Sequence, residues 1–326
     1  MRMNFKIAAL AAVLLAAGPA QAEVKIALDT KPDLETSGSY NWAHAFGEAL
    51  TAAGMEVREM PRGSIGDEAE KLDQLSLGLL EVSLSDVRSV GQIDPFIYGV
   101  RLPYIFDDVD HMYRALDEGN VLDRVNEAIA GQDVKLLALV PLGPSSGIIT
   151  TSKAVRSPAD MQGLRMRALD DAQIALYQAW GAFGVIVPWS DVPAGLQTGI
   201  VDGYLNSAFV PIMFGQTDIV KNFSDAGVII PLRAVMVSKG WYDGLSDEDR
   251  AAVDKAVETA DTATRAWLDR VAVSSLEALE AAGVTVQRLS AEERAAFRDL
   301  SKQVYTSDLM PADAVKAWTD LTGSTR

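Results

Sequence analysis

From Ser246 to Ala282 the chain runs without a single glycine or proline, and this stretch limits the possible folds more than any other. Ser246 and Asp249 read as an opening capping box, and Gly283 is the first residue that stops a helix. One helix over the whole stretch is roughly 55 Å long at 1.5 Å per residue. That is longer than one lobe of a chain this size. The alternative is a pair of shorter helices broken near Ser274 and Ser275.

The rest of the sequence fits two α/β lobes. Short apolar runs alternate with amphipathic stretches: strands at Val24 to Leu28, Met55 to Met60 and Leu79 to Leu84 enclose helices at Trp42 to Ala53 and Asp67 to Leu77. Such a β-α-β-α-β unit places ligands beyond the carboxyl ends of its strands. A second unit follows, with strands at Val134 to Leu142, Ile148 to Thr151, Leu164 to Leu169 and Gly184 to Trp189, and a helix at Ala172 to Ala182. Val228 to Pro231 and Val235 to Ser238 are further candidate strands. Ser290 and Glu293 open another capped helix, and the segment after it is expected to pack over the second lobe. The 326 residues exceed the usual single-core size, yet no linker divides them, so structured crossings should join the lobes.

The ends and the composition narrow the function. Arg2 and Lys6, the apolar run Ile7 to Ala17, and Ala20-Gln21-Ala22 read as a secretory signal over residues 1–22. That run is too short for a bilayer, which needs about 20 apolar residues. The chain contains no cysteine, which excludes disulfides, thiolate chemistry and a lipidated cysteine anchor. Its net charge of −16 becomes −18 once Arg2 and Lys6 are removed, and no Lys/Arg run exists, so nucleic acid is not an expected partner. An anionic ligand must therefore find a locally positive group, either a specific arginine or a helix N-terminus.

Several motifs do not carry chemistry. Gly143 to Gly147 matches the nucleophile elbow G-x-S-x-G with Ser145 at its centre, which keeps a secreted Ser145 hydrolase as a remote alternative. An elbow needs a helix next, whereas Ile148 to Thr151 is β-branched, and His44 and His111 both precede the serine. A loop between domains is the better reading. Asp107, Asp108 and Asp110 beside His111 lack EF-hand spacing and suit a helix N-terminus. No phosphate-cradling glycine motif occurs, and no cofactor or metal is expected.

The most specific stretch is Gly163 to Asn206. It begins Gly163-Leu164-Arg165-Met166-Arg167 and ends Gly199-Ile200-Val201-Asp202-Gly203-Tyr204-Leu205-Asn206. These elements resemble the "GlKiRv" and "GvvDGqeN" segments of the DctP-type periplasmic solute-binding proteins of TRAP transporters. The resemblance implies a two-lobed periplasmic-binding-protein fold with the ligand in the interlobe cleft and a long helix crossing both lobes. It also implies a periplasmic receptor, not an enzyme, that closes on a small organic acid and delivers it to membrane permease subunits. Arg167 matches the ligand-clamping position, where a planar, permanently charged guanidinium grips a carboxylate through two hydrogen bonds. By strand alternation alone, Arg165 and Arg167 would share a solvent-facing side. Asn206 matches a ligand-contacting amide, Trp189 a pocket wall, and Asp191 an acid of the "pfsEv" segment. Gly66-Asp67-Glu68 and Ser85-Asp86 correspond to first-lobe segments lining the site, and Leu102 to Phe106 resembles a core "lPflF" run. The expected division is 23–145 with 230–272 as lobe I and 146–229 with 273–326 as lobe II.

The chain departs from that pattern at one place. Many carboxylate-binding relatives carry a further arginine upstream of Arg167, where this chain has residues close to Gly147. Glu35, Glu68 and Asp86, with Tyr40, Trp42 and Trp189 as aromatic walls, therefore suggest a small amine such as ethanolamine as the alternative ligand.

Overall fold

The computed structural model describes residues 23–306 and 310–326, so the signal-peptide reading of residues 1–22 lies outside the described residues. The strands are β1 (Val24–Ala27), β2 (Val57–Met60), β3 (Val82–Asp86), β4 (Val134–Pro141), β5 (Gly147–Thr150), β6 (Arg165–Ala168), β7 (Phe183–Ile186), β8 (Gly203–Asn206), β9 (Asn222–Asp225), β10 (Leu232–Ser238) and β11 (Thr285–Arg288). They form two sheets, ordered β2-β1-β3-β10-β4 and β11-β9-β5-β8-β6-β7. In each sheet one strand arrives from the other half of the molecule and runs antiparallel to its neighbours: β10 against β3 and β4, and β5 against β8 and β9.

The chain passes between the sheets at 142–146 and again at 226–231. These two segments bond to each other, Leu142 N–H to the Pro231 carbonyl at 2.8 Å and Ser146 N–H to the Ile229 carbonyl at 2.6 Å. Val228 to Pro231, expected as a strand, is therefore half of a crossing pair. Gly227, at φ +63°, turns the backbone just before it, and Pro231 has no N–H to extend a ladder.

The breaker-free stretch forms one helix, Asp247–Ala281, 35 residues long. Its length is about 52 Å. Ser246 caps it by accepting the Asp249 N–H. The helix is not broken at Ser274 and Ser275, because Ser274 bonds its hydroxyl back to the Arg270 carbonyl and Ser275 is buried. Three sets of buried residues explain why it spans the molecule. Val253, Ala256 and Ala260 pack with Trp42 and Phe46 beside the first sheet, Trp267 and Val271 pack with Phe209, and Leu279 joins Ile149 and Phe223 under the second.

The helix Gly38–Ala52 lies along this long helix. Its first residue has to be small, since a Cβ on Gly38 would run into the Pro141 carbonyl and the Trp267 ring. The Trp42 indole N–H donates to Asp261 on the long helix at 2.7 Å. Burial raises the Asp261 pKa, although the Trp42 bond and Arg265 oppose the shift. An acid raised on folding makes the folded state less stable as pH climbs from the unfolded pKa through the folded one. Asp261→Asn keeps an acceptor for Trp42 and removes the buried charge. At pH 7 it is expected to raise the melting midpoint by about 2 °C for a gain of about 1 kcal/mol. A lower midpoint in calorimetry would show that the carboxylate is stabilising as it stands.

The C-terminal part does not stay with the second sheet as residues 273–326 were expected to. The helix Ala291–Ser301 does pack there, with Phe297 edge-on to Trp180 at 5.1 Å. The next helix, Ala312–Ser324, returns to the first lobe. Its Trp318 is buried, stacks on Phe96 at 5.2 Å and donates its indole N–H to the Phe96 carbonyl at 2.8 Å. A single large aromatic needs a deep socket, and the first lobe supplies one over Gly99.

Candidate functional site

A cavity of about 790 Å³ opens between the sheets, bounded by the ends of β3, β6 and β8 and by the crossing pair. Arg167, Trp189, Asn206, Asp86 and Glu68 all lie on its wall. Glu35 and Asp191 do not. Glu35 is exposed on the loop before the helix Gly38–Ala52, and Asp191 is exposed and accepts the Ser190 hydroxyl. The proposed aromatic walls Tyr40 and Trp42 are also elsewhere. Tyr40 bonds Glu59, and Trp42 is core, stacked on Phe46 at 4.8 Å.

Arg167 sits near the end of β6, between Tyr204 of β8 and Val185 of β7. It is only 6% exposed, so strand alternation misjudged it. The local pattern cannot show that the same face that is open at Arg165 closes over at Arg167. Arg165 is exposed and pairs with Asp202 at 2.8 Å. Arg167 donates its Nε–H to the Val187 carbonyl at 2.9 Å, and its guanidinium centre lies 5.4 Å from the Trp189 ring. Among the described residues no carboxylate pairs with it. Burial pushes its pKa down to about 10, with Arg88 and Arg233 adding to the effect and Tyr177 and Asp86 opposing it. The Tyr177 hydroxyl fixes the strand by donating to the Arg167 carbonyl at 3.0 Å.

Asn206 ends β8. It lines the cavity, its side-chain oxygen accepts the Ser207 N–H at 3.0 Å, and its amide NH₂ has no acceptor among the described residues. Trp189 is edge-on to Tyr204 at 5.5 Å and to Phe214 at 5.0 Å, so the ring is held rigidly as a wall.

Of the acids lining the cavity, Asp86 and Glu68 are paired with protein cations and Asp67 caps a helix. Asp86 accepts the Arg88 Nε–H at 3.0 Å and Arg233 at 3.3 Å. Burial would raise its pKa, but Arg101, Arg233 and Arg88 hold it well below the usual carboxylate range. Glu68 pairs with Lys71 at 3.3 Å and also accepts the Asp86 N–H. Asp29 takes Arg233 at 2.5 Å. The amine reading rested on Glu35, Glu68 and Asp86 as pocket acids; Glu35 lies outside the cavity, and Glu68 and Asp86 are already paired with protein cations.

Sequence reasoning missed Arg62, Arg88, Arg101, Arg233 and Phe214, which also line the cavity. Arg88 stands two residues after Asp86 and was findable. Arg233 faces Asp86 only through the antiparallel register of β10 on β3, which no local pattern encodes. Arg88 also reaches across to the Leu169 carbonyl at 3.0 Å, and Arg101 pairs with Asp170 at 2.6 Å, joining the first lobe to the end of β6. Near the position of the missing upstream arginine, Gly147 is closed to any side chain. A Cβ there would meet the Phe223 ring and the Ser224 carbonyl, so no side chain fits.

Ser145 has no elbow, since β5 begins two residues later. His44 bonds Glu59 and His111 bonds the Thr322 carbonyl, so neither histidine side chain is paired with it. The acids at 107–110 act as expected, with Asp108 capping the helix Val109–Glu118 through the His111 N–H.

Two α/β lobes around a polar cleft, bridged by paired crossings and one long helix, define a solute-binding receptor. The chain belongs to the bacterial extracellular solute-binding protein family 7, whose model matches residues 31–309. It is 28% identical over 310 residues to the ectoine/5-hydroxyectoine-binding periplasmic protein UehA of Ruegeria pomeroyi, covering 92% of this chain and 90% of that protein. It is 25% identical over 293 residues to the 2,3-diketo-L-gulonate-binding periplasmic protein YiaO of Escherichia coli, covering 87% and 88%. In fold it resembles the ectoine-binding protein of the TeaABC TRAP transporter of Halomonas elongata, with a TM-score of 0.82 at 24% identity over 93% of this chain and all of that one. All three are periplasmic binding proteins by name, and the third belongs to a TRAP transporter. No described helix is long and apolar enough to cross a membrane.

Proposed function

We propose that this receptor binds a small organic acid in the interlobe cleft, with Arg167 gripping the carboxylate, Asn206 donating to it and Trp189 forming the wall, and that it hands the acid to TRAP permease subunits from the periplasm. One observation carries the reading: Arg167 is a buried guanidinium with no acid partner among the described residues. A buried charge is costly unless something pairs with it, and a ligand carboxylate meets that need. The relative named for diketogulonate supports the same class. Contacts from both lobes give the closed form its extra affinity, without which a ligand could not drive closure. The lobe boundaries that fit this motion are the two crossings and the long helix.

The test is a thermal-shift screen of purified protein, unfolded and refolded to remove carried-over solute, against panels of organic acids and of small amines. A ligand at 100 times its dissociation constant adds about 2.7 kcal/mol of stability. The reading expects stabilisation by acids. Stabilisation confined to amines, or hits that survive Arg167→Gln unchanged, would overturn it.

A further inference from the structure

We propose that Arg62 is a second ligand-binding arginine, set in the opposite lobe from Arg167, and that it makes the receptor select acids carrying two acidic groups. The inference rests on the organic-acid reading above.

Charge pairing around the cavity supports it. Six basic side chains line the wall: Arg62, Lys71, Arg88, Arg101, Arg167 and Arg233. Lys71 is paired with Glu68, Arg88 with Asp86, Arg101 with Asp170, and Arg233 with both Asp29 and Asp86. Arg62 and Arg167 alone have no ion pair among the described residues. Asp67, the other acid near Arg62, accepts the Ala69 and Glu70 N–H groups as the cap of the helix Glu68–Ser76.

Geometry places the two at the ends of one wall. Arg62 stands in the turn after β2, beside Gly63 at φ +82°, and donates to the Asp29 carbonyl at 2.5 Å. That carbonyl fixes the side chain without neutralising it. Its guanidinium centre is 6.0 Å from the Phe214 ring, Phe214 is 5.0 Å from Trp189, and Trp189 is 5.4 Å from the Arg167 guanidinium. Two aromatic rings in edge-on contact thus lie between the two guanidinium groups, one from each lobe. An acid held at Arg167 and lying along these rings presents its far end to Arg62. A second carboxylate there neutralises the remaining cation and ties the lobes together, whereas a monoacid leaves Arg62 unpaired. Arg62 is exposed, so water screens it until a ligand covers it, and its contribution is smaller than that of Arg167.

The experiment is calorimetric titration of refolded protein with matched pairs, succinate against butyrate, adipate against hexanoate, and galactarate against galactonate. The wild type is expected to bind the better diacids at least 10-fold more tightly than their monoacid partners. Arg62→Gln should remove that preference and leave monoacid affinity within 3-fold, while Arg62→Lys restores most of it. Unliganded melting curves of the variants should match the wild type. Unchanged diacid binding in Arg62→Gln, or equal wild-type affinity for both members of each pair, would overturn the Arg62 assignment alone, provided Arg167→Gln abolishes binding. Failure of every acid to bind the wild type would overturn the organic-acid reading and this assignment with it.

Discussion

Replacing Arg167 by methionine is expected to weaken acid binding by about 2 to 5 kcal/mol, at least 30-fold, while leaving the unliganded protein as stable as before or more so. The two effects have one cause. Arg167 is buried, no acid pairs with it among the described residues, and burial depresses its pKa to about 10, well below that of a free guanidinium. For a base, a folded pKa below the unfolded one means that the charged form opposes folding at every pH below both values. A depression of this size corresponds to roughly 3 kcal/mol. Methionine fills most of the same space against Trp189 without the charge, at the cost of the single bond to the Val187 carbonyl. Calorimetric titration reads the first effect and scanning calorimetry the second. A variant that melts many degrees lower would make Arg167 a structural residue; one that binds acids as the wild type does would remove it from the site.

Arg233→Met is expected to show the opposite pattern, a loss of about 3 to 5 kcal/mol in the unliganded protein. Arg233 joins Asp29, which is 1% exposed, to Asp86, and its own pKa is raised because these two acids outweigh the burial that would lower it. The variant leaves Asp29 buried without its ion pair and Asp86 with fewer cations. The melting midpoint at pH 7 should fall by roughly 10 °C. The deficit should shrink as pH drops through the carboxylate range, because a protonated aspartic acid no longer needs the guanidinium. Adding Asp86→Asn should recover part of the loss at neutral pH. A midpoint unchanged by Arg233→Met would mean that water serves these acids as well as the arginine does.

Arg167 and Arg233 differ in how readable they are. Arg167 lies in a stretch whose order along the chain can be recognised, and its burial follows from neighbours on β7 and β8 that the same stretch supplies. Arg233 has no such context. It lies on a strand that returns from the second sheet, and its partner Asp86 is brought beside it only by register across the sheet. The same limit hid the partners of Glu68 and Asp86, since Lys71, Arg88 and Arg233 include side chains brought in by tertiary packing. Glu35 and Tyr40 were placed in the pocket on residue type alone, and the loop and helix that carry them face away from it.

Local chemistry on the chain determined the long helix, because 35 residues without glycine or proline have no reason to stop, and it determined most strands, because period and β-branching are local properties. The candidate clamp at Arg167 came instead from the resemblance of the Gly163 to Asn206 stretch to the DctP-type segments, since strand alternation alone put that side chain toward solvent. Tertiary structure decided which charges remain unpaired, where Trp318 takes the C-terminal helix, and why Gly147 excludes a side chain. Each of these depends on distances between residues far apart in the chain. An ion pair or a steric clash acts over a few ångströms in space, and sequence separation carries no information about that distance until the sheets have formed.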